Sequence, residues 1–138
     1  MRISIVTTVA DGPGRGRSIA ALLASTQQLN EAFLRWNPEL PWLYESGVRY
    51  QREPAERLRK EGEEFAAIPI VYPRGWGDCD DLAPWRAAEL RVRRGIPAYA
   101  AARRTGPSMW HAIVTVNGRE IDDPSRVLGM GRRRPEDF

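Results

Sequence analysis

Apolar positions change their period along the chain, and each change marks an element. Near the start, Ile3, Ile5, Thr7 and Val9 alternate with polar or smaller neighbours, the period-two pattern of a half-buried strand over residues 2–9. From Ser18 to Trp36 the apolar residues Ile19, Leu22, Leu23, Leu29, Phe33 and Trp36 recur at helical spacing. That pattern predicts a helix with this face on the core, capped by Ser18 and stopped by Asn37-Pro38. Residues 37–54 set Pro38, Pro41, Gly47 and Pro54 among Trp42, Tyr44 and Tyr50. They read as an ordered, irregular segment whose rings either cover the core or line a cleft. Residues 54–66 are polar with few apolar anchors and suggest a short exposed helix interrupted at Gly62. IPIVY at 68–72 then suggests a brief buried strand or an extended link.

The second half is more sharply punctuated. Residues 79–94 predict another helix, with Leu82, Ala83, Ala87 and Leu90 on one side, Gly95 as its stop and Pro97 just beyond. Residues 99–103 and 110–116 read as strands, and Asn117-Gly118 is a strong hairpin turn into a strand over 119–122. The expectation is one α+β domain over residues 1–138, helices first and an antiparallel sheet last, with no repeat or linker. At 138 residues such a chain buries a core without disulfides or a structural metal.

Charge narrows the partners. The formal charge is +3, but 21 basic residues are accompanied by 18 acidic ones, and each basic stretch has acidic neighbours. A nucleic-acid surface would instead cluster basic and aromatic residues on one face, so nucleic acid is an unlikely partner. Arg132, Arg133 and Arg134 are a local exception that reads as a solvated tail or, as the alternative, a contact for phosphate or a partner. The stretch DGPGRGRS at 11–18 is glycine-rich ahead of a helix, yet it lacks the glycine spacing and the Lys-Ser or Lys-Thr of a phosphate-binding loop, so a turn is expected. No run is long enough to span a membrane, and the start lacks a secretory signal pattern.

The only cysteine, Cys79, lies in GWGDCDDLAPW at 75–85. A catalytic thiol needs help in ionising, access to substrate and an oriented base. Gly75 and Gly77 permit a tight, unobstructed turn, and Asp78 is a good N-cap for a helix beginning at Cys79. The helix N-terminus favours a thiolate there, and the Cys79 amide can serve an oxyanion. Asp80 and Asp81 oppose ionisation, and Pro84 predicts a tight or kinked first turn. The only histidine, His111, opens a predicted strand and is the natural cationic partner. Beyond the hairpin turn, Asp122 and Asp123 offer a carboxylate to the imidazole, and strand alternation lets only one of them face it. The segment Asp123-Pro124-Ser125 also reads as a plain turn capped by aspartate.

GDCDD (77–81), a helix ending in LRVRRGIPA (90–98), WHAIV (110–114) and IDDPS (121–125) together resemble the transglutaminase-like branch of the papain-like cysteine-protease superfamily. The resemblance covers roughly residues 70–130. It implies a catalytic helix packed against an antiparallel sheet and a triad of Cys79, His111 and Asp123. Some members use a tryptophan upstream of the cysteine to hold the oxyanion, for which Trp42 and Trp76 are both candidates. LYESGVRYQREP (43–54) with DPSRVLGM (123–130) is similar to small members encoded in bacteriophage and prophage structural gene regions. That implies a cytoplasmic or virion-associated protein, with peptide substrates and phage structural proteins as partners. The chain has no room for the accessory domains or calcium sites of animal transglutaminases, so cross-linking is not implied.

The expected chemistry is thiol acyl transfer on a peptide or glutaminyl amide, without cofactor, with hydrolysis as the simpler outcome. The rival expectation is a catalytically silent fold of the same type, serving as a virion or assembly component. A metal site made from Cys79, His111 and an aspartate is a poor ligand set for structural zinc, so no metal is expected.

Overall fold

The computed structural model describes residues 4–7, 14–54, 63–107 and 109–132. In chain order these form β1 (Ser4–Thr7), α1 (Arg15–Trp36), a 3-10 turn (Leu43–Glu45), β2 (Arg49–Tyr50), β3 (Glu63–Ala66), α2 (Ile68–Arg74) and β4 (Trp76–Gly77). There follow α3 (Cys79–Arg94), β5 (Ala98–Gly106), β6 (Met109–Val116), β7 (Arg119–Asp122) and the short α4 (Pro124–Val127). Strands β5, β6 and β7 make a three-stranded antiparallel sheet, β1 pairs antiparallel with β3, and β2 pairs parallel with β4. The architecture is α+β, with helices packed against the three-stranded sheet.

Helix α3 is the centre of the molecule. Its residues Ala83, Ala87 and Leu90 join Ile19 and Leu23 of α1, Phe65, Ala98, Ala112 and Val114 in one apolar cluster. On its other side Leu82, Trp85 and Ala88 pack with Leu34, Leu43, Val48, Ala66, Ile68 and Val71 in a second cluster. Covered on both sides, α3 buries Asp80, Asp81 and Glu89 along with its apolar residues, and from Asp80 to Leu90 only Arg86 escapes burial. The small residues Ala83, Ala87 and Ala112 keep α3 close to β6. Each large side chain buried here contributes about 1.5–3 kcal/mol.

Helix α1 buries polar residues as well as its apolar stripe: Thr26, Gln27 and Asn30 are all inside. Each has a backbone group to satisfy, as buried polar groups must. Gln27 Nε2 donates to the Ala98 carbonyl at 3.0 Å and its Oε1 accepts from the Ala100 amide at 2.8 Å, which satisfies the outer edge of β5. Asn30 Oδ1 accepts from the Ile68 amide at 2.9 Å, at the start of α2.

Several expectations are corrected. Helix α1 begins at Arg15 with Gly14 as N-cap, so Ser18 is not the cap; its hydroxyl donates back to the Gly14 carbonyl at 3.2 Å. Trp36 does not join the buried face: it is 86% exposed in the last turn of α1. IPIVY is helical, because Pro69 sits in the first turn of α2, where its missing amide costs nothing. Of the segment 54–66, residues 55–62 lie outside the described residues, and 63–66 form β3, with Phe65 and Ala66 buried. Residues 8–13, 133 and 134 also lie outside. The tight first turn expected from Pro84 is present, since the Asp81 amide donates to the Asp78 carbonyl at 3.1 Å, and α3 runs on unbroken from Cys79 to Arg94, ending on Gly95 at φ 65°.

Candidate functional site

Cys79 opens α3 because Asp78 ends the preceding strand in a capping box. Asp78 Oδ1 accepts from the Asp80 amide at 3.0 Å, and Asp81 Oδ2 accepts from the Asp78 amide at 3.2 Å. Gly75 closes α2 at φ 80°, and Gly77 lets the turn pass against α3: a Cβ at Gly77 would lie 3.1 Å from Asp81 Cβ. The two aspartates after the cysteine behave differently. Asp81 is fully buried and turns inward, where Oδ1 accepts from the Ala66 amide at 2.7 Å and Oδ2 from Arg74 at 2.9 Å. Burial pushes its carboxyl up to about 7, against the pull of the Ala66 amide and of Arg74. Asp80 alone faces the sulfur: Cys79 Sγ donates to Asp80 Oδ1 at 3.8 Å.

His111 enters at the start of β6, and its Nε2 donates to Asp123 at 2.9 Å (Oδ2) and 3.0 Å (Oδ1), with both residues buried. The carboxylate does not come from within the ladder. A bulge in β7 pairs Val114 with Asp122 but Thr115 with Glu120, which leaves Ile121 as the extra residue. The strand ends at Asp122, and Asp123 stands at the entry of α4, where its side chain makes no helix-capping bond. Asp122 faces elsewhere: its Oδ2 accepts from Arg86 Nε at 2.9 Å and from the Tyr44 hydroxyl at 2.6 Å. Arg86 in turn donates to buried Glu89 at 2.9 Å, and Glu89 accepts from the Leu43 amide at 2.9 Å.

Cys79 and His111 line one cavity of about 410 Å³, shared with Tyr50, Trp110, Asp80 and Arg103, among others. With Nε2 turned to Asp123, Nδ1 is the imidazole nitrogen left for chemistry. Neither Trp42 nor Trp76 lines this cavity. Trp76 is covered by the Arg74 guanidinium 3.7 Å from its ring centre, and Trp42 lies among Arg86, Arg93 and Arg94 on other hollows. The aromatic residues at the cavity are Tyr50, one of the rings expected either to cover the core or to line a cleft, and Trp110, which sequence reasoning gave no role. Tyr50 belongs to the aromatic segment with a possible cleft role, but only the parallel pairing of β2 with β4 brings it beside the turn before Cys79. Burial, with Cys79 and Asp78 close by, pushes the Tyr50 phenol up, so it stays a neutral hydroxyl donor at neutral pH.

Among the described residues, no three His, Cys, Asp or Glu side chains gather as a metal site, and no helix is long and apolar enough to cross a membrane. Comparison with protein-family models, curated proteins and solved structures finds no match for this chain.

Proposed function

We propose that this protein is a thiol acyl-transfer enzyme, a cysteine peptidase or amidase of the papain-like, transglutaminase-like kind. The observation that carries the reading is a convergence: the sole thiol and the sole imidazole border one cavity, and a buried carboxylate holds the imidazole by its far nitrogen. Cys79 at the start of α3 and His111 near the start of β6 border that cavity, and Asp123 at the entry of α4 bonds His111.

In the first half-reaction the Cys79 thiolate attacks the carbonyl carbon of a peptide or glutaminyl amide, forming a C–S bond. The C–N bond then breaks, and protonated His111 gives its Nδ1 proton to the leaving amine. The Cys79 amide at the helix N-terminus donates to the developing oxyanion, and the Tyr50 hydroxyl is the candidate second donor. In the second half-reaction His111 takes a proton from water as its oxygen bonds to the acyl carbon; the C–S bond breaks and the thiolate returns. An amine in place of water gives transfer instead of hydrolysis. Substrates of this kind include phage structural proteins, given the resemblance of residues 43–54 and 123–130.

One observation favours a second reading, a catalytically silent fold acting as a virion or assembly component: the Asp80 carboxylate beside the sulfur repels a thiolate. The rate of iodoacetamide alkylation from about pH 4 to pH 10 separates the two, because every alkylated thiol must be Cys79. An ordinary thiol titrates near 8.5. The enzyme reading expects reaction well below that pH and its loss in His111→Ala. A thiol that is slow or ordinary, and indifferent to His111, favours the silent fold.

A further inference from the structure

The groups bordering the Cys79 cavity are sorted by charge and depth. Its carboxylates, Glu53, Asp78 and Asp80, belong to buried residues, whereas its guanidiniums, Arg52, Arg103 and Arg126, all belong to exposed ones. The carboxylates already serve the fold: Asp78 caps α3, Asp80 accepts from Cys79, and Glu53 Oε2 accepts from the Glu64 amide at 3.4 Å. The arginines come from three separate parts of the chain, the segment after β2, the middle of β5, and α4. Two of them are loosely engaged. Arg103 lies 3.5 Å from Glu120 with its side chain 47% exposed, and Arg126 lies 3.4 Å from Asp123 with its side chain 67% exposed. The Arg103–Glu120 pair is exposed on both sides and contributes little, so the Arg103 fork is able to turn to an incoming carboxylate, which guanidinium grips in two-point fashion; Arg126 keeps Nε near the buried Asp123 carboxylate and turns an exposed side chain to the mouth.

We propose that this basic mouth selects acyl donors bearing a carboxylate beside the scissile amide, either an Asp or Glu side chain or the terminal carboxylate of a peptide. The proposal deepens the thiol acyl-transfer reading and rests on it. The donor's amide reaches the sulfur over the apolar walls of Ile19 and Trp110, while its carboxylate stays at the rim among Arg52, Arg103 and Arg126. Glutamine and glutamate donors are then separated by charge at the mouth rather than by shape at the sulfur.

The lone cysteine allows a test without a known substrate. Iodoacetate and iodoacetamide react alike but differ in charge, so their rate ratio at Cys79, set against N-acetylcysteine amide as a reference thiol, reports the field at the mouth. The expected ratio is roughly tenfold above the reference at low salt, shrinking in about 0.5 M salt and falling most of the way to the reference in Arg52→Gln/Arg103→Gln. Arg126→Gln lowers it too. Each variant's own iodoacetamide rate is the denominator, so altered thiol activation cancels. A ratio at the reference value, indifferent to salt and to these substitutions, overturns the proposal. Protection of Cys79 from iodoacetamide distinguishes the sources: N-acetylglutamic acid α-amide tests the side-chain carboxylate, N-acetylalanine the terminal one, and N-acetylglutamine amide is the neutral control. Better protection by either acid supports the proposal and names the source; no advantage over the neutral control overturns it. The underlying reading fails differently, by an iodoacetamide rate that ignores His111, and the ratio remains measurable in that event.

Discussion

His111 Nε2 lies 2.9 Å from Asp123 Oδ2, and the neighbouring Asp122 points to Arg86 and Tyr44 instead. Two adjacent carboxylates of the same chemistry therefore do separate work, one holding His111 and one joining β7 to Arg86 of α3 and to Tyr44. Substituting each in turn separates catalysis from stability. Asp123→Asn is expected to slow His111-dependent alkylation of Cys79 at low pH by on the order of a hundredfold. Asp122→Asn is expected to leave that rate near the wild type and to lower stability by about 1–3 kcal/mol, the scale of lost charged hydrogen bonds. Alkylation kinetics and urea unfolding on both variants read the difference, and equal effects on alkylation would sink the assignment.

Buried Glu89 joins the 3-10 turn to α3 through the Leu43 amide and Arg86. Glu89→Leu leaves the Leu43 amide without its acceptor and Arg86 with only Asp122, an expected cost of about 3–5 kcal/mol. Glu89→Gln keeps an acceptor for Leu43 and is expected to cost less. Urea midpoints that rank the two the other way would contradict this network.

Asp81 predicts a pH dependence of stability. Its folded carboxyl is raised from 3.8 to about 7 by burial, so between those values the folded chain holds more protons at this site than the unfolded chain. Stability from this group is thus complete below about pH 4 and is lost as pH rises through about 7. Asp81→Asn is neutral throughout and lacks this slope. The melting-temperature gap between wild type and Asp81→Asn is expected to move in the variant's favour from pH 5 to pH 8, as thermal unfolding at several pH values will show. A gap that moves the opposite way refutes the raised value.

Gly77 is held by contact rather than by its backbone angles. An added Cβ would meet Asp81 Cβ at 3.1 Å, Leu82 Cδ2 at 3.2 Å and Val71 Cγ1 at 3.3 Å. Gly77→Ala is expected to lower stability by about 1–3 kcal/mol through overpacking and to slow Cys79 alkylation by shifting the start of α3. A variant of wild-type melting temperature would show that the turn yields freely.

Local chemistry was enough to place most of the second half of the fold. The Asp78 cap and the Gly95 stop bound α3, and Asn117-Gly118 forms the β6–β7 turn, because caps and turns depend on side chains a few residues apart. The histidine and cysteine of the candidate site were legible for a related reason, as the single residues of their kind, each near an element boundary.

Elsewhere local signals were outweighed. IPIVY has a β-like composition but is helical, because Pro69 suits a first helical turn and Asn30 of α1 supplies an acceptor for Ile68, 38 positions away. Nothing in the stretch 119–123 alone chooses between the two aspartates; the bulge at Ile121, the Arg86–Tyr44 pair and the position of β6 do so together. Tyr50, Trp110 and the three rim arginines reach the Cys79 cavity through pairings and packing between distant segments. The sequence by itself determined where α3 and the β6–β7 turn lie and which residues carry reactive groups, since those depend on neighbours along the chain. Tertiary structure decided which of those groups share a cavity and which charges surround it, since that depends on neighbours in space.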